Sequence, residues 1–122
     1  MPRLILDESR LHSAIRDAVA HSHADIVHNV QSATLSNPVL VVGMAGNPFC
    51  RRARRLLDDA EVKYHYLEFG SYLSQWRARN ALKMWTGWPT FPMVFVKGQL
   101  VGGADDLGRL VKSGELKRLL VE

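Results

Sequence analysis

The chain has 122 residues, 47% hydrophobic and 23% charged, proportions that suit one globular domain and exclude a disordered or collagen-like chain. Its single cysteine, Cys50, excludes an intramolecular disulfide, a Cys-x-x-Cys redox pair and a zinc site with more than one cysteine ligand. A net charge of +4 and a pI near 9.6 favour anionic partners such as phosphate groups, nucleic acid or a small acidic peptide.

Residues Met1 to Arg10 carry charge and no apolar core ahead of a cleavage site, and no apolar run approaches the ~18 residues of a membrane span. A cytoplasmic protein away from membranes is therefore expected. From Leu11 onward, Leu11, Ile15, Val19, Ile26 and Val30 recur at multiples of three or four and predict an amphipathic helix. Asp7 or Ser9 would cap its start, and Asn37-Pro38 ends it. Residues 1–37 thus read as a helical extension, with the domain proper at 38–122.

The rest alternates strand and helix. Val39 to Val42 is a short, mostly β-branched run of the kind buried on both sheet faces. A helix through Ala53, Leu56, Leu57 and Ala60 follows Asn47-Pro48. Val62 to Phe69 reads as a strand, and Leu73, Trp76, Ala81, Leu82 and Trp85 as one side of a helix. Met93 to Val96 and Gln99 to Val101 flank Lys97-Gly98 and predict a tight hairpin. Asp105 to Val111 and Glu115 to Val121 predict closing helices. The expected order is α, β-α-β, α, β-β, α-α.

Chemistry concentrates at three places. Asn47 is suited to N-cap the following helix and Pro48 to open it, which puts Cys50 in the first turn. The helix dipole and Arg51, Arg52, Arg54 and Arg55 would favour a thiolate there. The plainer reading makes Cys50 a small buried hydrophobe beside Ala53 and Leu57, with the arginines in water. Thr90-Phe91-Pro92 opens a strand, and a cis Phe91–Pro92 bond would turn the Phe91 backbone toward an extended peptide. Gly102 to Asp106 ends a strand and begins a helix, where free N–H groups can hold a carboxylate.

Together these segments resemble the glutaredoxin family over Val39 to Leu120. Asn47-Pro48-Phe49-Cys50-Arg51-Arg52 stands where that family has Cys-Pro-Tyr-Cys or Cys-Gly-Phe-Ser. Trp88-Pro89-Thr90-Phe91-Pro92 is similar to the monothiol branch's Trp-Pro-Thr-x-Pro. Gly102-Gly103-Ala104-Asp105-Asp106-Leu107 resembles the Gly-Gly-x-Asp-Asp-Leu signature, and Ser113-Gly114-Glu115-Leu116 the C-terminal Ser-Gly-Glu-Leu. The resemblance implies an α/β, thioredoxin-like fold, a four-stranded mixed sheet flanked by helices, here with an extra N-terminal helix. It also implies glutathione as ligand: Phe91 and Pro92 pairing with its cysteinyl part, Gly103, Ala104 and Asp105 holding its γ-glutamyl end, and Arg79 meeting its glycyl carboxylate. Arg79 reads equally well as a solvated arginine beside Arg77.

Three positions depart from the pattern. The attacking cysteine is replaced by Asn47, whose amide neither attacks a disulfide nor ligates iron as a thiolate does. The lysine expected about three residues earlier is missing from Met44-Ala45-Gly46. Ala104 stands where many relatives have cysteine. The expected function is a glutathione-binding protein of thiol redox homeostasis, weakly or not catalytic, with an iron–sulfur cluster not expected. The alternative is a monothiol glutathione-dependent oxidoreductase working through Cys50.

Other patterns have plainer explanations. His21, Asp25 and His28, one turn beyond Asp17, share a face at metal-binding spacing, but a solvated polar face accounts for them and no metal is assigned. Trp76, Trp85 and Trp88 with Arg77, Arg79 and Lys83 mix aromatic and basic residues as single-strand binders do. The core and the family motif claim these tryptophans, so nucleic acid is not an expected partner. The N-terminal helix either packs on the domain or pairs two copies as a homodimer.

Overall fold

The computed structural model describes residues 3–121; residues 1, 2 and 122 lie outside it. A 3-10 turn, Glu8–Arg10, leads into helices α1 (Ser13–His21) and α2 (Ala24–Ser36). Then come β1 (Val39–Gly43), α3 (Pro48–Asp59), β2 (His65–Glu68), α4 (Trp76–Thr86), β3 (Met93–Val96), β4 (Gln99–Gly102), α5 (Ala104–Ser113) and α6 (Glu115–Leu120). The sheet order is β2-β1-β3-β4. β1 and β2 run parallel with Val41 opposite Tyr66, whereas β1–β3 and β3–β4 are antiparallel. Lys97 and Gly98 both take positive φ, 52° and 81°, as a two-residue hairpin turn requires.

The unbroken apolar run of β1 follows from its central place, since every one of its residues is buried. Leu40 and Val42 join a core with Val30, Leu82, Met93 and Phe95 under α2 and α4. Val39 and Val41 join the opposite one, with Ala53, Leu57, Val94, Leu107 and Leu116 under α3, α5 and α6. Alternation across one strand thus feeds two separate cores.

Four sequence expectations of the fold need correction. The single N-terminal helix is broken, with His23 at φ 51° between α1 and α2. An unbroken helix over residues 11–36 would run roughly 39 Å, while the five residues of β1 span roughly 17 Å, so a straight helix overshoots the sheet. Consequently only the second half of the stripe is covered: Val30 is buried and Ile26 and Val27 pack beside it, but Ile15 and Val19 are about half exposed. The caps differ too, because Asp7 caps the 3-10 turn and His12 caps α1 by accepting from the Ala14 N–H at 3.0 Å.

The third correction concerns the segment before α4. Leu73 is 96% exposed and lies in a turn ahead of the helix. β2 likewise starts at His65 and not at Val62. Both errors come from extending apolar periodicity into loops that Gly70 (φ 68°) and Glu61 (φ 57°) terminate with left-handed backbone.

Candidate functional site

The site is built where β1 hands the chain to α3 and where β3 and α5 begin. Asn47 caps α3 as the sequence suggests, its Oδ1 accepting from the backbone N–H groups of Phe49 at 2.8 Å and Cys50 at 3.0 Å. Pro48 opens the helix with no donor to satisfy. Asn47→Ala orphans both N–H groups and should cost about 0.5–2 kcal/mol of stability, measured by urea melts.

Cys50 follows the plainer reading in being buried, but its expected neighbours Ala53 and Leu57 are corrected. It is 1% exposed and packs with Leu40, Val42, Met44 and Leu82, on the face of the sheet opposite Ala53 and Leu57. Gly43 permits this approach, because a Cβ there would lie 2.9 Å from both Cys50 Sγ and the Tyr66 hydroxyl. The expected thiolate is corrected: burial pushes the Cys50 thiol up and nearby Glu68 adds to this, with Met44's backbone and Arg51 opposing. Tyr66 above it is also pushed up, by burial first and then by its hydrogen bond to Glu68 at 3.0 Å. The arginines are exposed, Arg52 pairing with Asp105 and Arg54 lying over the Tyr66 ring, and of the four only Arg51 favours the thiolate, less than desolvation disfavours it.

A raised folded value has a defined consequence. The unfolded thiol ionises near its ordinary value of 9.0, before the buried one does. The stability that protonated Cys50 carries is therefore whole below that value and is lost as pH rises toward the folded one. From about pH 8 to about pH 10 the wild-type melting temperature should fall further than that of Cys50→Ala.

Phe91, Pro92, Gly103, Ala104 and Asp105 come together as the sequence suggests, lining one cleft of about 220 Å³. The Phe91–Pro92 peptide bond is cis, as expected. Phe49, Trp88, Thr90 and Asp106 also line the cleft. Of these, half-exposed Phe49 was legible as the aromatic third residue of Asn-Pro-Phe-Cys.

On the α5 side, Asp106 accepts from the Gly103 N–H at 3.0 Å and from Arg109 at 2.5 Å, closing the helix start. Asp105 pairs with Arg52 of α3 at 2.5 Å across the cleft mouth. Both partners are well exposed, so the pair contributes little stability, and its effect is to hold the Asp105 carboxylate in place. Gly102 takes φ 120°, and a Cβ there would press into the Asp106 side chain, so this position needs glycine.

One predicted residue is elsewhere. Arg79 is neither solvated nor in the cleft: it is 7% exposed, and its Nη1 donates to the carbonyls of Phe69 at 2.9 Å and Ser74 at 2.5 Å. It pins the loop between β2 and α4. On α4, Lys83 Nζ lies 5.8 Å from the ring centroid of Phe91, a cleft residue. The helix break separates His21 on α1 from Asp25 and His28 on α2, and among the described residues no His, Cys, Asp or Glu cluster could hold a metal ion.

A mixed β2-β1-β3-β4 sheet with helices on both faces, with a capped helix start and a small cleft at one end, is a thioredoxin-like fold. The chain belongs to the glutaredoxin family, whose model, described as Glutaredoxin, matches residues 39–101. It is 41% identical over 102 residues to a glutaredoxin-like protein of Dictyostelium discoideum, covering 84% of this chain and 83% of that one. Proteins named as monothiol glutaredoxins are further relatives. Oxidized glutaredoxin 2 from Chlamydomonas reinhardtii superposes with a TM-score of 0.71 at 30% identity, covering 82% of this chain and 94% of that one. A buckwheat glutaredoxin in complex with glutathione superposes with a TM-score of 0.71 at 26% identity, covering 83% and 92%.

Proposed function

We propose that this protein binds glutathione in thiol redox homeostasis with the family's ligand cleft intact and its nucleophile lost. One observation carries this reading: the cleft of Phe91, Pro92, Gly103, Ala104 and Asp105 adjoins a helix start headed by the Asn47 amide, while the single thiol lies buried. The buckwheat glutaredoxin–glutathione complex supports the choice of ligand. The Phe91 and Pro92 backbone takes the cysteinyl part, and the N–H groups at the start of α5 take the γ-glutamyl carboxylate. Asp105 takes the γ-glutamyl amine by exchanging its Arg52 partner.

Lys83 takes the glycyl carboxylate in place of Arg79, whose guanidinium already holds two carbonyls. Lys83→Gln should weaken glutathione binding about three- to tenfold, read by calorimetry, while melting is unchanged. An iron–sulfur cluster does not fit these residues, because Asn47 supplies no thiolate and Cys50 is covered. A cytoplasmic setting and a homodimer through the N-terminal helix, whose Ile15 and Val19 are about half exposed, belong to the same reading.

The test is titration of the full chain with reduced glutathione, followed by amide NMR. Shifts concentrated at Phe91 and Gly103–Asp105 are expected. Their absence at saturating ligand overturns the proposal. The reading through Cys50 as the working thiol predicts a glutathionylated protein that Cys50→Ser cannot form.

A further inference from the structure

The break between α1 and α2 opens a cavity of about 570 Å³ against α4 that shares no lining residue with the cleft. That volume lies within the roughly 300–1,000 Å³ of small-molecule sites. We propose that this cavity binds a small planar aromatic anion, stacked on the indoles of Trp76 and Trp85 with its acid group on Arg77.

The lining selects that chemistry. Trp76, Trp85 and Met84 supply flat or polarizable apolar surface. Trp76 is 55% exposed and Met84 72% exposed, so two large apolar side chains stand in solvent at its mouth. The titratable side chains lining it are Arg77, His23 and His28, with no carboxylate among the described residues there. Asp17 and Asp25, the acidic residues of α1 and α2, do not line it. The Arg77 guanidinium lies over the Trp76 ring, 5.1 Å from its centroid, so an incoming ring takes its place on the indole while the acid group draws the guanidinium to the rim; Trp85, stacked on Phe95 at 6.2 Å, offers its other face. A nucleic-acid strand would need a continuous track of such platforms, whereas this cavity has room for one or two rings.

The test uses the full chain with naphthalene-2-carboxylate and its neutral counterpart naphthalene-2-methanol, followed by amide NMR and tryptophan emission. The carboxylate should shift residues 22–28 and 76–85 and bind about fivefold or more tightly than the alcohol. Trp76→Ala should abolish binding, and Arg77→Gln should bring the two probes to equal affinity. Both substitutions replace exposed side chains, and both should leave the glutathione response at Phe91 and Gly103 unchanged, so failure here is distinct from failure of the proposed function. The comparison of the two probes on wild type needs no variant. Equal affinities in wild type, no shifts with either probe, shifts confined to the Phe91 cleft, or concentration-dependent shifts of Trp76 and Met84 without probe would each overturn the proposal.

Discussion

Asn47→Cys raises glutathione-dependent disulfide reductase activity on the order of 10²-fold or more above the wild-type protein, which itself stays near background. The attack needs a thiolate at the exposed start of a helix. Asn47 stands at the start of α3, only 8% exposed and with its Oδ1 engaged by the N–H groups of Phe49 and Cys50, so the substituted thiol must reach the disulfide through that narrow opening. A cysteine at this N-cap has those same two donors and the helix dipole to hold its thiolate, which lowers its pKa well below that of a free thiol. Cys50 sits three residues on and beneath it, so the variant recreates Cys-Pro-Phe-Cys with a resolving thiol whose own ionisation is disfavoured by burial. Activity should remain below that of a full family member, because Met44 leaves the earlier cationic position empty. A mixed-disulfide reduction assay on wild type, Asn47→Cys and Cys50→Ser checks this. Robust wild-type turnover abolished by Cys50→Ser would reverse the assignment and make Cys50 the reacting thiol.

Removing residues 1–37 should unfold the domain or leave it molten, while removing residues 1–22 alone should shift its melting temperature only slightly. The difference follows from where the apolar stripe is covered. Val30, Ile26 and Val27 pack on Leu40, Leu82 and Phe95, closing one face of the sheet. Full burial of such a side chain contributes about 1.5–3 kcal/mol, and with Val30 fully and Ile26 and Val27 partly buried, losing all three removes a large share of the stability of a small domain. Ile15 and Val19 on α1 are about half exposed and forfeit much less. Thermal melts and near-UV circular dichroism of the two truncations decide it. An unchanged melt for the longer truncation would mean that α2 adds nothing to the core. Sedimentation of the shorter truncation against the full chain tests the proposed homodimer, for which equal masses would be fatal.

Much of this architecture was legible because its signals are local. Four β-branched or leucine residues in a row marked β1, Asn47-Pro48 marked the start of α3, and Lys97-Gly98 marked the hairpin turn. The cleft was legible for a different reason. Phe91-Pro92 and Gly103-Ala104-Asp105 carry short motifs whose resemblance named the family, and the fold then places them face to face. The break at His23 had no such marker, since neither proline nor glycine stands there. It arises because a helix must match the length of the sheet beneath it, a constraint set by distant strands.

By itself the sequence determined which residue types occupy the decisive positions: an amide at Asn47, one thiol in the chain, and the motif glycines of the cleft. Whether that thiol reacts was a tertiary question. Helix position and nearby arginines argued for ionisation, but desolvation in the core beside Met44 and Leu82 outweighs both. The role of Arg79 was likewise decided by three-dimensional packing, which buries its guanidinium under two carbonyls that sequence spacing could not pair with it. Charge and spacing are properties of the chain, whereas solvent access and long-range partners exist only once it has folded.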